Sequence, residues 1–365
     1  MRLILAHPAA LGASRGESCC WIYGDSDGAV FSSVEQQLAG CPRRVTPERF
    51  QECATELADS YVLWCDEQIR RAGGSDEWVL SPYSRNPFET NQFVHLIWLY
   101  LLGRLEPPPE PLMIVTSSPH FATAVESLAI ERGWQHRRLG ATNFVLATLK
   151  YRLHAIARFT RDMAQVLWRW WATRRYVSLH TNRGHAADTV VVGYCHGDEV
   201  DRDGNFNSRY LPGLAEFLMN AGARVVFFPI YSGIPLRRFS NFLQTSSRSR
   251  IPFLWPEAYW SIGDILCAAI ACWRRTLAGN CEPERFLDLP TRELVAGQQW
   301  RSALGGLYAL LIGKTPENLA KRRIVPGIVM EWFENQPVGR ASALGWARAK
   351  CRHVSLRKYA SLRLF

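Results

Sequence analysis

The chain has 365 residues, 47% of them apolar, and carries 43 Lys/Arg against 33 Asp/Glu for a formal net charge of +10. That length exceeds one ordinary hydrophobic core and that apolar content excludes a disordered chain, so one large or two ordinary globular domains are expected. The basic balance points to an anionic partner, whether lipid, sugar nucleotide or nucleic acid, and ten cysteines without a CxxC pair or zinc spacing read as reduced, mostly core thiols.

Met1-Arg-Leu-Ile-Leu-Ala-His-Pro8 is too short and too broken by His7 and Pro8 for a signal peptide. Trp21-Ile-Tyr23 predicts a short strand ending in Gly24-Asp-Ser-Asp-Gly28. Thr46-Pro47 starts a helix, with Thr as cap and Pro at the first position, that runs to Gly73-Gly74. Glu77 to Ser81 reads as a strand, Phe88 to Leu105 as a helix and 106–111 as a stiff proline-rich connector. Leu112 to Thr116 is a buried strand and Pro119 to Gly133 a helix.

The segment from Leu149 to Tyr176 differs from its surroundings. It holds Lys150, Arg152, Arg158, Arg161, Arg169, Arg174 and Arg175 against one acid, Asp162, with Tyr151, Phe159, Trp168, Trp170, Trp171 and Tyr176 interleaved. A basic aromatic helix suits an anionic membrane surface, where arginines reach phosphates and indoles settle among headgroups. Arg158, Trp168, Arg169, Trp170, Trp171 and Arg174 are the expected membrane-facing residues. An amphipathic helix packed on an α/β core is the alternative. Nucleic-acid binding lacks any recognisable module and is not expected.

Thr189 to Cys195 is a buried strand followed by a fourteen-residue polar loop, 196–209, with four acids, two asparagines and a histidine. Tyr210 to Gly222 reads as a helix and Arg224 to Tyr231 as a second buried strand, together a parallel βαβ unit. Ligands of open α/β sheets sit beyond the carboxyl ends of strands, where this loop falls. A calcium loop is suggested by Glu199, Asp201, Asp203 and Gly204 but fails at the twelfth position, Tyr210. A pocket for hydroxyl groups, with Asp198, Glu199 or His196 as base, competes with a solvated surface loop.

Pro235 to Ser247 predicts a helix, Ile251 to Trp255 a strand, Glu257 to Leu277 a long apolar helix and Arg292 to Ile312 another. Gly327 to Glu334 is a strand and Val338 to Cys351 a helix. The alternation predicts a doubly wound, mostly parallel α/β architecture. Its segments are 1–145 (α/β), 146–186 (basic aromatic helix), 187–336 (Rossmann-like α/β) and 337–365 (basic C-terminal helix and tail). The polar loops at 81–88, 117–120 and 196–209 would then face one rim of one sheet. Glu331 and Glu334, three apart on a strand, point to opposite faces and do not form a carboxylate pair. No GxGxxG, Walker A, GxSxG or HExxH pattern is present, and no cofactor or metal site is read.

Three stretches together resemble bacterial surface-carbohydrate biosynthesis proteins, glycosyltransferase-like enzymes of the GT-B type. They are Trp78 to Phe88 (WVLSPYSRNPF), Asn207 to Leu214 (NSRYLPGL) and Glu331 to Gln336 (EWFENQ) with Arg340. The resemblance implies two facing Rossmann-like domains, acceptor in the N-terminal half and nucleotide-sugar in the C-terminal half. It places Glu334, Asn335 and Gln336 in the cleft floor and the 196–210 loop on the acceptor side. Such enzymes continue after this motif into a whole second domain, whereas this chain ends at Phe365. The expectation is therefore an N-terminal half lacking most of the donor domain, with a partner chain able to supply it.

The function so implied is sugar transfer from a nucleotide-sugar to a lipid-linked or glycan acceptor in O-antigen or capsule assembly, in the cytoplasm at the inner membrane. A non-catalytic acceptor-binding or scaffold subunit is the alternative. Asp198, Glu199 or His196 would act as base, and Arg85, Arg209 and Arg340 would contact anions. Asn86, His120, Asn205, Asn207 and Tyr210 complete the expected substrate contacts.

Overall fold

The computed structural model describes residues 1–14, 18–71, 79–81, 91–180, 188–278, 285–332 and 336–356. In chain order its elements begin with β1 (Arg2–Ala6), β2 (Cys20–Tyr23), α1 (Gly28–Gln37), α2 (Pro47–Arg71), α3 (Gln92–Arg104), β3 (Leu112–Val115), α4 (Pro119–Glu131) and β4 (Gln135–Leu139). The 40-residue α5 (Ala141–His180), β5 (Thr189–Cys195), α6 (Leu214–Asn220), β6 (Val225–Tyr231), α7 (Leu236–Ser246) and α8 (Ile262–Ala278) follow. A two-residue hairpin of β7 (Arg285–Phe286) and β8 (Leu289–Pro290), then α9 (Arg292–Leu304), α10 (Leu307–Lys321), β9 (Ile328–Trp332), α11 (Pro337–Arg348) and β10 (Arg352–Leu356), complete it.

Two compact units result, Met1–Ala157 with Arg275–Leu304 and Arg158–Arg274 with Gly305–Phe365, so the chain passes between them inside α5, inside α8 and again between α9 and α10. The first unit holds an all-parallel sheet of order β2-β3-β1-β4. Leu3, Leu5, Cys20, Ile22, Leu112 and Ile114 fill one core, and Ile4, Ala6, Trp21, Tyr23, Met113 and Val115 fill another. Burial of both alternating sets is what a parallel sheet covered on two faces requires.

The second unit holds a second all-parallel sheet, of order β10-β9-β5-β6. Every residue of β5 and β6 is buried. Val191, Cys195, Val225 and Phe227 join one core, while Phe228 meets Trp346 of α11 edge-on at 5.7 Å. Helices α10 and α11 approach so closely that a Cβ at Gly345 would stand 2.2 Å from the Gly313 carbonyl oxygen.

The α/β class and the strands at 112–115, 189–195 and 225–231 agree with the sequence reading. Several elements differ. Residues 79–81 form a turn and bend, not a strand. Residues 251–255 contribute one isolated bridge, Phe253 to Phe227. The helix predicted over 292–312 breaks at 305–306. Strands β1, β4 and β10 were not foreseen, and β10 turns part of the expected C-terminal tail into a sheet edge.

The polar loops were expected on one rim of one sheet, whereas each unit carries its own parallel sheet. The 117–120 loop follows β3 in the first sheet, whereas 196–209 follows β5 in the second. They do not share a rim of one sheet.

Candidate functional site

In the second unit, β5 and β9 are adjacent parallel strands, and their carboxyl ends carry Tyr194 and Trp332. Tyr210, delivered by the loop after β5, lies 5.8 Å from the Tyr194 ring, 5.5 Å from Trp332 and 6.1 Å from His196. Gln336, at the start of α11, accepts a hydrogen bond from the Tyr194 hydroxyl at 3.4 Å. The result is an aromatic shelf with an amide beside it, placed where parallel sheets bind ligands. Arg340 stands half-buried one turn into α11. Glu334 and Asn335 lie outside the described residues.

The loop that builds this shelf is internally fastened. Buried Glu199 accepts the backbone N–H groups of His196 and Arg209, each at 2.9 Å, one on each carboxylate oxygen. Asp201 accepts from the amides of Asp203 and Asn205 and from the Asn205 side chain at 2.8–2.9 Å. Those bonds hold the Asp201 carboxyl below its ordinary range, the Asn205 side chain contributing most. Ser208 accepts from Leu211 N–H at 3.2 Å. Gly204, at φ +91°, packs where a Cβ would meet Arg248 at 2.9 Å.

Expected roles change accordingly. Glu199 is a buried clasp for the loop. Asp198 is exposed and ion-paired with Arg209, and Asn205 serves the turn at Asp201. Asn207 is exposed and Tyr210 and His196 are half-buried on the shelf. Among the described residues no cluster of three or more His, Cys, Asp or Glu side chains is placed to hold a metal ion.

The first unit has a polar rim that the sequence did not reveal. Asp25, just after β2, accepts Thr116 Oγ1 at 2.6 Å on one oxygen, and Ser117 N–H at 2.6 Å with Ser117 Oγ at 2.8 Å on the other. His95 of α3 brings Nε2 to 3.6 Å from Asp25, with both side chains no more than 5% exposed. Burial pushes the Asp25 carboxyl up, but bonding from His95, Ser117 and Thr116 outweighs it and leaves the acid below its usual range. The His95 ring stacks on Phe121 at 4.5 Å, and Phe121 fits because Gly24 has no Cβ; one there would lie 2.4 Å from the ring. The acidic turn after Trp21-Ile-Tyr23 was the available signal, but its partners lie 70 and more residues away.

His120 is not on this rim. Its ring meets Tyr151 edge-on at 5.9 Å, and α9 passes so close that a Cβ at Gly297 would stand 2.3 Å from it. Burial lowers its pKa to about 4, with Arg152 adding to the shift, so it is a neutral packing residue. Arg85 and Asn86 lie outside the described residues. At the opposite, amino ends of β1 and β4 a groove of about 540 Å³ opens, lined in part by Arg2, Ser18, Gln135, His136 and Arg137.

The residues expected at a membrane separate into two groups. Trp168 and Trp171 are 40% and 45% exposed. Trp170 donates Nε1–H to the Trp260 carbonyl at 3.0 Å, and Arg174 donates to the same oxygen at 3.0 Å. Arg169 turns inward over the Tyr231 and Phe239 rings at 5.3 and 5.5 Å. Arg158 stands 3.7 Å from Asp162. No described helix is long and apolar enough to cross a membrane.

Fold and rims together define an α/β protein with two parallel sheets, each with a polar carboxyl-end rim. No protein-family model matches the chain, and no curated protein matches it either.

Proposed function

We propose that the protein is a glycosyltransferase-like protein of the GT-B type that binds a nucleotide-sugar and acts on a lipid-linked or glycan acceptor in surface polysaccharide assembly. The observation that carries this reading is the shelf of Tyr194, His196, Tyr210 and Trp332 with Gln336 at the ends of β5 and β9. Aromatic faces stack on nucleobases and on the apolar faces of sugar rings, and an adjacent amide supplies directional hydrogen bonds to hydroxyls. Two α/β units, each with an all-parallel sheet, are also what the GT-B resemblance implies.

Calorimetric titration of the full chain with UDP-, GDP-, dTDP- and CMP-sugars tests it. Saturable binding of one of them, weakened about tenfold or more by Tyr210→Ala, is the expected result. Absence of heat with all four classes would overturn the reading.

One observation favours a binding module without turnover. Glu199, one of the three residues expected as base, is occupied by two backbone N–H groups. Mass-spectrometric search for a glycosylated acceptor, with the bound nucleotide-sugar as donor, separates the two: a donor recovered intact, with neither free nucleotide nor product, would leave binding alone.

A further inference from the structure

Within the second unit, the outer faces of α5 and α8 carry apolar side chains in helical register. On α5 the exposed positions Arg161, Ala164, Trp168, Trp171 and Arg175 recur every three or four residues, with Leu167 beside them. On α8, Ile262, Leu266 and Ile270 are 48%, 55% and 57% exposed, four residues apart, and exposed Arg274 follows one turn later. The helices lie side by side and antiparallel: Phe159 meets Trp273 edge-on at 5.7 Å, while further along α5 both Trp170 and Arg174 reach the Trp260 carbonyl just before α8.

Inward side chains of both helices pack within the unit, Phe159 against Trp273, Trp170 and Arg174 on the Trp260 carbonyl and Arg169 over Tyr231 and Phe239, so the fold does not call for aromatic and branched aliphatic side chains on the solvent side. The charge beside them is predominantly positive. Arg158, Arg161, Arg174, Arg175 and Arg274 flank the stripes. The acid of each stretch is already engaged: Asp162 by Arg158 and Arg161 at 3.7 and 3.5 Å, and Asp264 by Ser261 and Asn318. Arg175 lies over the Trp171 ring at 5.4 Å, which joins cation and indole into one interfacial pair.

We propose that this two-helix face docks on the surface of an anionic phospholipid bilayer. Indoles of Trp168 and Trp171 settle at headgroup level, Leu167, Ile262, Leu266 and Ile270 enter the acyl boundary, and the flanking arginines meet lipid phosphates. The same arginines select lipid over a second copy of the chain, because self-association through this face would oppose two basic rims. The inference rests on this surface alone and is independent of sugar transfer.

Co-sedimentation of the full chain with vesicles of phosphatidylcholine alone, and of phosphatidylcholine with phosphatidylglycerol, tests it. Binding to the mixed vesicles only, weakened by added salt, is expected. Leu266→Glu with Ile270→Glu should reduce binding about tenfold or more while leaving the melting temperature unchanged. Should that variant fail to fold, Trp168→Ala with Trp171→Ala must show the same loss. No binding by the parent, undiminished binding by correctly folded variants, or a dimer in sedimentation equilibrium that the same substitutions dissociate would each overturn the proposal.

Discussion

Asp25 Oδ1 stands 3.6 Å from His95 Nε2, with both side chains almost wholly buried, so the turn after β2 is tied to α3 and, through Thr116 and Ser117, to the end of β3. Three chain segments of the first unit converge on one carboxylate. Asp25→Ala should cost about 3 kcal/mol, since it removes a buried charge acceptor and leaves donors unpaired. The folded-state pKa is depressed, so the Asp25 contribution is full above the ordinary carboxylate range and is lost as pH falls through the folded value. Denaturant unfolding of parent and variant should therefore converge in acid; a constant gap down to the acid limit would refute the assignment.

Glu199 gives a test that separates architecture from catalysis. Glu199→Ala should destabilise the 196–210 loop by about 2 kcal/mol and accelerate hydrogen exchange at the His196 and Arg209 amides. A residue acting only as a base would leave both amides as protected as in the parent.

Glu257 is wholly buried, and neither carboxylate oxygen has a hydrogen-bond partner among the described residues. Burial raises its pKa to about 7, against the opposing pull of Arg169. A raised folded pKa means that stability is fully present below the unfolded value and is lost as pH climbs through the folded one. Glu257→Gln should match the parent in acid, then become the more stable protein as pH rises from about 4.5 to 7, by up to about 3 kcal/mol. Thermal melts at pH 4 and pH 8 decide it; an equal difference at both values would exclude a titrating Glu257.

Gly345→Ala should destabilise the second unit by about 2 kcal/mol, because the new methyl group would press on the Gly313 backbone, which cannot swing aside. A surface substitution such as Arg352→Lys provides the neutral comparison in the same unfolding experiment.

Much of the fold was legible because local pattern reports burial. Continuous apolar runs marked β3, β5 and β6, and Thr46-Pro47 and Ser118-Pro119 marked two helix starts, where a hydroxyl precedes a proline. The edge strands were hidden for the converse reason. Gln135-His-Arg-Arg-Leu139 and Arg352-His-Val-Ser-Leu356 each pair on one side only and stay largely exposed, so nothing in their composition distinguishes them from loops. The apolar stretches at 79–81 and 251–255 misled in the opposite sense, since an apolar run reports burial and not pairing: 79–81 is a turn and bend, and 251–255 makes one bridge to Phe227.

The sequence by itself determined the α/β class, the order of most elements and the aromatic-basic character of α5. Those follow from periodicity and capping, which act over a few residues. Tertiary structure alone decided how the strands pair within the two parallel sheets, that Glu199 is clasped by amides while Tyr210 joins Tyr194 and Trp332, and that Asp25 meets His95. Parallel pairing and polar contacts join residues far apart in the chain, so their partners are chosen by the packed backbone and not by any local signal.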